Sequence, residues 1–217
     1  MKKTLSFMTV LALVLCLVTP TGVRAASAKT KVRKMVSYMQ TYEWMMLFDL
    51  GLADGEGYEI VLDNAQMAQA AALTVNLSNA DIIECDDEFG FWSVYSVPSS
   101  RVKKMSQKLF GKAVSYKKLS KEKMEDIGGF IRAYRNDEGK PVIYCWEGET
   151  ETDYEIMKQS VGKSGAGYKV VKDLYYGYWG MNDHKTANYR ITYRVEKNEV
   201  SSYGFAITKM KIEKLAD

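Results

Sequence analysis

The chain has 217 residues, with 30 basic and 27 acidic side chains and a single histidine. Lys2, Lys3 and Arg24 are the only charges in residues 1–25, so without that segment 27 basic residues face 27 acidic ones. A balanced body gives no whole-domain electrostatic argument for nucleic acid or anionic lipid, and one imidazole rules out most histidine-based catalysis and four-ligand Cys/His zinc centres.

Met1-Lys2-Lys3 precedes an uncharged apolar run from Leu5 to Val18, followed by Thr19-Pro20-Thr21-Gly22. The run is too short to span a bilayer comfortably. A positive start, an apolar middle and small residues at the end make up a secretory signal, here of bacterial character. Cleavage is expected after Ala25, with Ala28 as the alternative site, which implies a secreted, extracellular protein without stable membrane insertion. Cys16 follows Leu15 where a lipid-anchor motif needs a small residue, so no lipid anchor is expected. Lys29, Lys31, Arg33 and Lys34 then read as the solvated start of the mature chain. After cleavage Cys85 and Cys145 remain. A bridge between them would close a loop of about 60 residues and contribute about 4 kcal/mol; the alternative is two separately packed thiols.

From Lys29 to Phe48, the residues Val32, Met35, Val36, Met39, Tyr42, Met46 and Leu47 recur at helical spacing. The glycines of Asp49–Gly57 stop that helix. Asp63 and Gln66 have the spacing of a capping box for a second helix, with Met67, Ala70, Ala71, Thr74 and Leu77 on one face. A polar break over Asn79–Glu88 leads to a strand at Phe91–Val97, rich in aromatic and β-branched residues. Pro98-Ser99-Ser100 opens a third helix bearing Val102, Met105 and Leu109, and Gly111 ends it. Lys112–Leu119 reads as a short strand and Ser120–Asp126 as a helical turn.

Beyond Phe130 the period falls to two. Ile131–Arg135 and Val142–Trp146 flank Asn136-Asp137-Glu138-Gly139 as a hairpin. Gly148–Gly167 reads as a long loop, and Tyr168–Trp179 as a long strand bent at Gly177. Ala187, Tyr189, Ile191, Tyr193 and Val195 alternate with polar residues, the pattern of a strand with one wet face. In the last strand Tyr203, Phe205 and Ile207 run in one phase and Met210 and Ile212 in the other, which predicts a β-bulge near Thr208. The expected fold is α+β, with N-terminal helices packed on one face of a curved, mainly antiparallel sheet. It occupies a single domain, 26–217, helix-rich over 29–126 and strand-rich over 130–213. This element order resembles the cone-shaped NTF2-like domains found among bacterial secreted proteins. The resemblance implies a bent sheet enclosing a cavity, in a family holding both enzymes and binding domains.

No motif carries a reaction. His184, in Met181–Lys185 between two strands, reads as a solvated turn residue; a cysteine nucleophile served by it is the chemical alternative. Gly162-Lys163-Ser164 has the ending of a phosphate-binding loop, but Met157 stands where its first glycine belongs. Glu84, Asp86, Asp87 and Glu88 form one acidic group, and Glu147, Glu149, Glu151, Asp153 and Glu155 another, both without EF-hand spacing. They read as solvated charge, and no metal, cofactor or catalytic residue is expected. Asn76-Leu77-Ser78 is a glycosylation sequon only on a eukaryotic secretory route. Aromatic residues are more suggestive: Tyr175, Tyr176, Tyr178 and Trp179 crowd one strand and Trp146 ends another, side chains suited to stacking on a ligand. The expectation is a non-catalytic exported domain that binds a small molecule, glycan or protein, but not nucleic acid, through the concave side of its sheet. A small hydrolase using carboxylates is the alternative.

Overall fold

The computed structural model describes residues 21–52, 57–85, 92–121, 131–146, 152–178 and 186–215. The chain falls into two units, Met1–Lys31 and Val32–Asp217, and the site discussed below lies wholly in the second. Residues 1–20 of the expected leader, most of the expected turn at Ser120–Asp126, Trp179 and His184 lie outside the described residues.

Helix α1 covers Thr21–Ser37 and α2 covers Gln40–Leu52, where periodicity had suggested one helix. All seven residues of the expected apolar stripe are buried, so the stripe runs straight through the interruption. At the break, Tyr38 N–H reaches Met35 O (3.3 Å) and Met39 N–H reaches Val36 O (3.1 Å). These tightened i to i−3 bonds leave carbonyl capacity for a partner from elsewhere.

Strand β1 (Gly57–Ile60) follows, then α3 (Asn64–Ala72), shorter than expected, with Leu77 in a separate 3₁₀ turn at Leu77–Asn79. Asp63 caps α3 by accepting from Gln66 N–H at 2.8 Å. The reciprocal half of the capping box is absent because the Gln66 side chain instead accepts from Tyr42 Oη at 2.5 Å, joining α3 to α2.

The supposed polar break contains β2 (Ile82–Cys85), an exposed edge strand. Strand β3 (Trp92–Ser96) and helix α4 (Ser99–Phe110) form where expected, and Gly111 closes α4 in the left-handed region at φ 66°. Lys112–Leu119 is not a strand. It is a loop with a 3₁₀ turn at Tyr116–Lys118, because Ser115 accepts from Lys117 N–H and Ser106 Oγ accepts from Val114 N–H at 2.8 Å. These side chains satisfy backbone donors that a ladder would otherwise take.

The hairpin of β4 (Ile131–Arg135) and β5 (Pro141–Trp146) turns at Gly139, φ 74°. The expected loop before Gly167 is largely a strand, β6 (Thr152–Ser164), paired with β7 (Gly167–Tyr178). Being an edge strand exposed on most of its length, β6 has no apolar alternation to betray it. Strands β8 (Tyr189–Lys197) and β9 (Phe205–Lys214) finish the chain. Along β8, Tyr189, Ile191, Tyr193 and Val195 are all buried. Arg194 pairs with Lys209 and Val195 with Ile207, so Thr208 is the extra residue of the bulge that the change of phase predicted.

The fold is α+β, with the helices N-terminal to the sheets. Two antiparallel sheets replace the single curved one: β1-β9-β8-β7-β6 and β2-β3-β5-β4. Pairing sorts them, because β5 turns back on β3 and β4 while the next strand, β6, joins β7. The helices contact both sheets, α4 packing against β9 and α3 against β4 and β5. Asp49 of α2 also takes Arg132 of β4 at 2.6 Å. On the free edge of β4 the Gln69 side-chain amide, oriented to satisfy both its atoms, pairs with Ala133 N–H (2.7 Å) and C=O (2.6 Å), mimicking another strand.

Gly57 offers a stability test. A Cβ there would lie 2.4 Å from Ile212 O at φ +131°, whereas at Gly139, φ +74°, nothing lies within 4 Å. Gly57→Ala is expected to lose more stability in urea unfolding than Gly139→Ala, which carries only the left-handed backbone cost of about 1–2 kcal/mol. Equal losses would contradict the close pairing of β1 with β9.

Candidate functional site

Residues Val170, Lys172, Leu174 and Tyr176 form the inward row of β7, all buried. A lysine in that row brings a charge into the core, which a fold tolerates only with a counter-charge and hydrogen-bond partners. Glu43 supplies them from the first turn of α2, within the apolar stripe. Lys172 Nζ lies 2.5 Å from Glu43 Oε1, and both side chains are sealed from solvent. The ammonium also sits 3.5 Å from Val36 O, using the carbonyl left available at the helix break, and 5.7 Å from the centre of the Tyr193 ring. Tyr193 Oη donates to Glu43 Oε1 and Tyr154 Oη donates to Oε2. One carboxylate thus gathers three donors from β6, β7 and β8, fixing α2 on the larger sheet.

Burial, reinforced by the Glu43 charge, pushes the phenols of Tyr154 and Tyr193 well above the ordinary tyrosine range. Both therefore stay protonated and keep donating.

A cleft of about 460 Å³ opens beside this cluster, at the break between α1 and α2. Tyr38, Trp44 and Tyr154 supply its aromatic surface. Gln40, Thr41 and Thr74 add amide and hydroxyl groups, and Leu73 and Val75 an apolar patch. Tyr154 belongs to both features, facing the cleft while its hydroxyl holds Glu43. The opposite end is fixed by Arg101 of α4, whose Nη2 donates to Thr74 O at 2.6 Å. Tyr38 is set by Lys108, whose Nζ lies 4.6 Å from its ring centre, and by a hydrogen bond with Tyr203. That hydrogen bond, aided by the Lys108 charge, lowers the Tyr38 phenol, while burial first and the same bond second push Tyr203 up to about 12.

No charged side chain lines the cleft among the described residues. A larger groove, about 630 Å³, lies by the β6–β7 turn near Lys169, Arg194 and Lys197. It has charge but no aromatic wall, because the ring of Tyr193 turns to the core.

Of the aromatic platform read from the sequence, only Tyr175, Tyr176 and Trp146 have described side chains. Tyr175 and Tyr176 are consecutive on β7, so they project to opposite faces, and both are buried. Tyr176 packs edge-on against Tyr189, and its backbone N–H and C=O are both bonded by the Asn188 amide, at 2.8 and 2.6 Å. Trp146 is 41% exposed but ends β5 in the other sheet, opposite Trp92. The Tyr178 side chain lies outside the described residues.

Cys85 and Cys145 are not bridged. Both pair with Ser93, one from each side, so two strand spacings, about 10 Å, separate them, beyond the roughly 7 Å limit for a disulfide. Gly162-Lys163-Ser164 ends β6 beside a tight turn, with no helix after it to receive phosphate. Glu84 and Glu155 are exposed, the other members of the acidic groups have no described side chain, and no metal-binding cluster occurs among the described residues.

The cleft residues were missed because helical periodicity marks what is buried and ignores the half-exposed flank where Tyr38, Gln40, Thr41 and Trp44 sit. A signal did exist: Glu43 interrupts an apolar stripe and Lys172 an apolar strand row, two opposite charges in core positions.

Comparison with protein-family models, with curated proteins and with solved structures returned no match.

Proposed function

We propose that this chain is a ligand-binding domain of an exported protein, and that it holds a small uncharged ring bearing hydroxyl groups, such as a sugar unit, in the cleft between α1 and α2. The observation that carries the reading is the lining itself: three aromatic side chains beside amide and hydroxyl groups, with no charged side chain among the described lining residues. Its volume falls within the usual ligand-pocket range of about 300–1,000 Å³. An aromatic ring covers the apolar face of a sugar while amides and hydroxyls meet its rim. A charged ligand would enter without a counter-charge. A carboxylate hydrolase would need paired acids at the opening, whereas Glu43 stands behind Tyr154 with its oxygens engaged by three donors. The likeness of element order to NTF2-like domains belongs to this same proposal.

Calorimetric titration with a panel of neutral disaccharides tests it. At least one is expected to bind the wild type, Trp44→Ala to weaken binding about tenfold, or about 1.4 kcal/mol, and Thr41→Trp to block it by filling the cleft. Failure of the whole panel, or binding unchanged in both variants, would overturn the proposal.

A further inference from the structure

Eight cations and no acid fall within Ser99–Lys121, the span of α4 and the loop behind it. Two are engaged: Arg101 with Thr74 O, and Lys108 between the rings of Tyr38 and Tyr203. The other six, Lys103, Lys104, Lys112, Lys117, Lys118 and Lys121, are exposed, and none makes an ion pair with another described residue. By contrast, Lys140, Lys209 and Lys211 each hold a glutamate at 2.6–3.0 Å.

All six are exposed, two on α4 and four in the loop that follows it. Val102, Met105, Leu109 and Phe110 are buried, and α4 packs against β9, which turns Lys103 and Lys104 outward. Gly111 reverses the chain, and the bond from Val114 N–H to Ser106 Oγ lays the lysine-bearing loop back along the helix. Holding like charges together disfavours the folded state through mutual repulsion, which a bound polyanion would relieve. Balancing charge over the whole chain conceals this, because the compensating acids lie outside residues 99–121.

The chemistry of the surface narrows the partner. Its exposed cations are all lysine, point charges without the planar fork that reads one group bidentately. None of the large apolar side chains exposed among the described residues lies in this segment, so nothing here would enter a lipid acyl layer. Tyr116 is the one aromatic residue in the loop and is half-buried, so a row of bases would find no stacking platform. We propose that Ser99–Lys121 is a docking surface for a flexible polymer of closely spaced phosphate groups lacking bases and acyl chains. None of these six lysines lines the cleft, so their binding does not depend on whether the cleft takes a sugar.

Titration of the full chain with long-chain inorganic polyphosphate at several salt concentrations is the test. Binding is expected to weaken with salt at a log–log slope of about −0.7 per phosphate engaged, about −4 if all six lysines take part. Lys103→Gln/Lys104→Gln and Lys117→Gln/Lys118→Gln should each reduce that slope by about 1.4, while Lys209→Gln/Lys211→Gln leaves it unchanged. Circular dichroism of every variant confirms the fold. Absence of binding at low salt, an equal effect of the β9 variant, or tighter binding to oligothymidylate or phosphatidylglycerol vesicles of matched charge would overturn the proposal.

Discussion

Lys172→Met is expected to destabilise the domain by about 3–5 kcal/mol, the usual cost of leaving one half of a buried ion pair behind. Glu43 would keep its charge in a sealed site with only the phenols of Tyr154 and Tyr193 to oppose it. The double variant Glu43→Gln/Lys172→Met removes both charges and keeps an acceptor for the two hydroxyls. It should therefore recover most of the loss, because desolvating the pair in the native protein offsets much of its attraction. Urea midpoints for the wild type, both single variants and the double variant give the coupling. A double variant as unstable as the summed single losses would contradict the arrangement, as would a Lys172→Met protein of wild-type stability.

Alkaline unfolding follows from the tyrosines around the same helices. Burial raises Tyr42, Tyr154 and Tyr193 strongly, and pushes Tyr58 and Tyr203 up to about 12, from an ordinary value of 10.0. The sign is fixed by linkage: above pH 10 the unfolded chain gives up phenolic protons that the native state retains, so stability present below 10 is lost as pH rises toward the folded-state values. Each proton so retained costs about 1.4 kcal/mol per pH unit. For the two fully engaged phenols, Tyr154 and Tyr193, that slope amounts to about 3 kcal/mol per pH unit, so a stability of about 5 kcal/mol, the low end for a domain, is gone about two units above pH 10. Near-ultraviolet dichroism and phenolate absorbance should therefore change together, in one cooperative step above pH 10. Tyr38, lowered by its hydrogen bond with Tyr203 and by Lys108, should titrate earlier without unfolding. Gradual phenolate formation with native dichroism retained past pH 12 would contradict the buried network.

What could be read from the sequence was whatever burial writes into periodicity. The stripe from Val32 to Leu47, the alternation of β8 and the bulge at Thr208 each required one face in and one face out, and each stands in the fold. Exposed elements left no such trace: β2 and β6 are edge strands whose residues face water over most of their length, so they read as polar segments. Pairing beyond the β4–β5 hairpin, which its turn made legible, was equally hidden, since nothing in Pro141–Trp146 says that its other neighbour is β3 rather than β6. The site suffered from both effects. Aromatic density pointed to Tyr175 and Tyr176, which strand propensity alone explains and which are core, whereas Tyr38 and Trp44 stand apart in sequence from Leu73 and Tyr154 and meet them only in the fold.

Rigidity links core to cleft. Tyr154 gives its hydroxyl to Glu43 and its remaining surface to the opening, so the ion pair that anchors α2 also fixes one wall of the binding site. Nuclear magnetic resonance mapping with the best-bound neutral disaccharide tests this account most directly. Backbone amide shifts are expected to move at Ser37–Trp44, at Leu73–Val75 and at Tyr154, and to stay still along β5 and the β6–β7 turn. Perturbations centred on Trp146 or on Lys169 and Arg194, with Ser37–Trp44 silent, would contradict it.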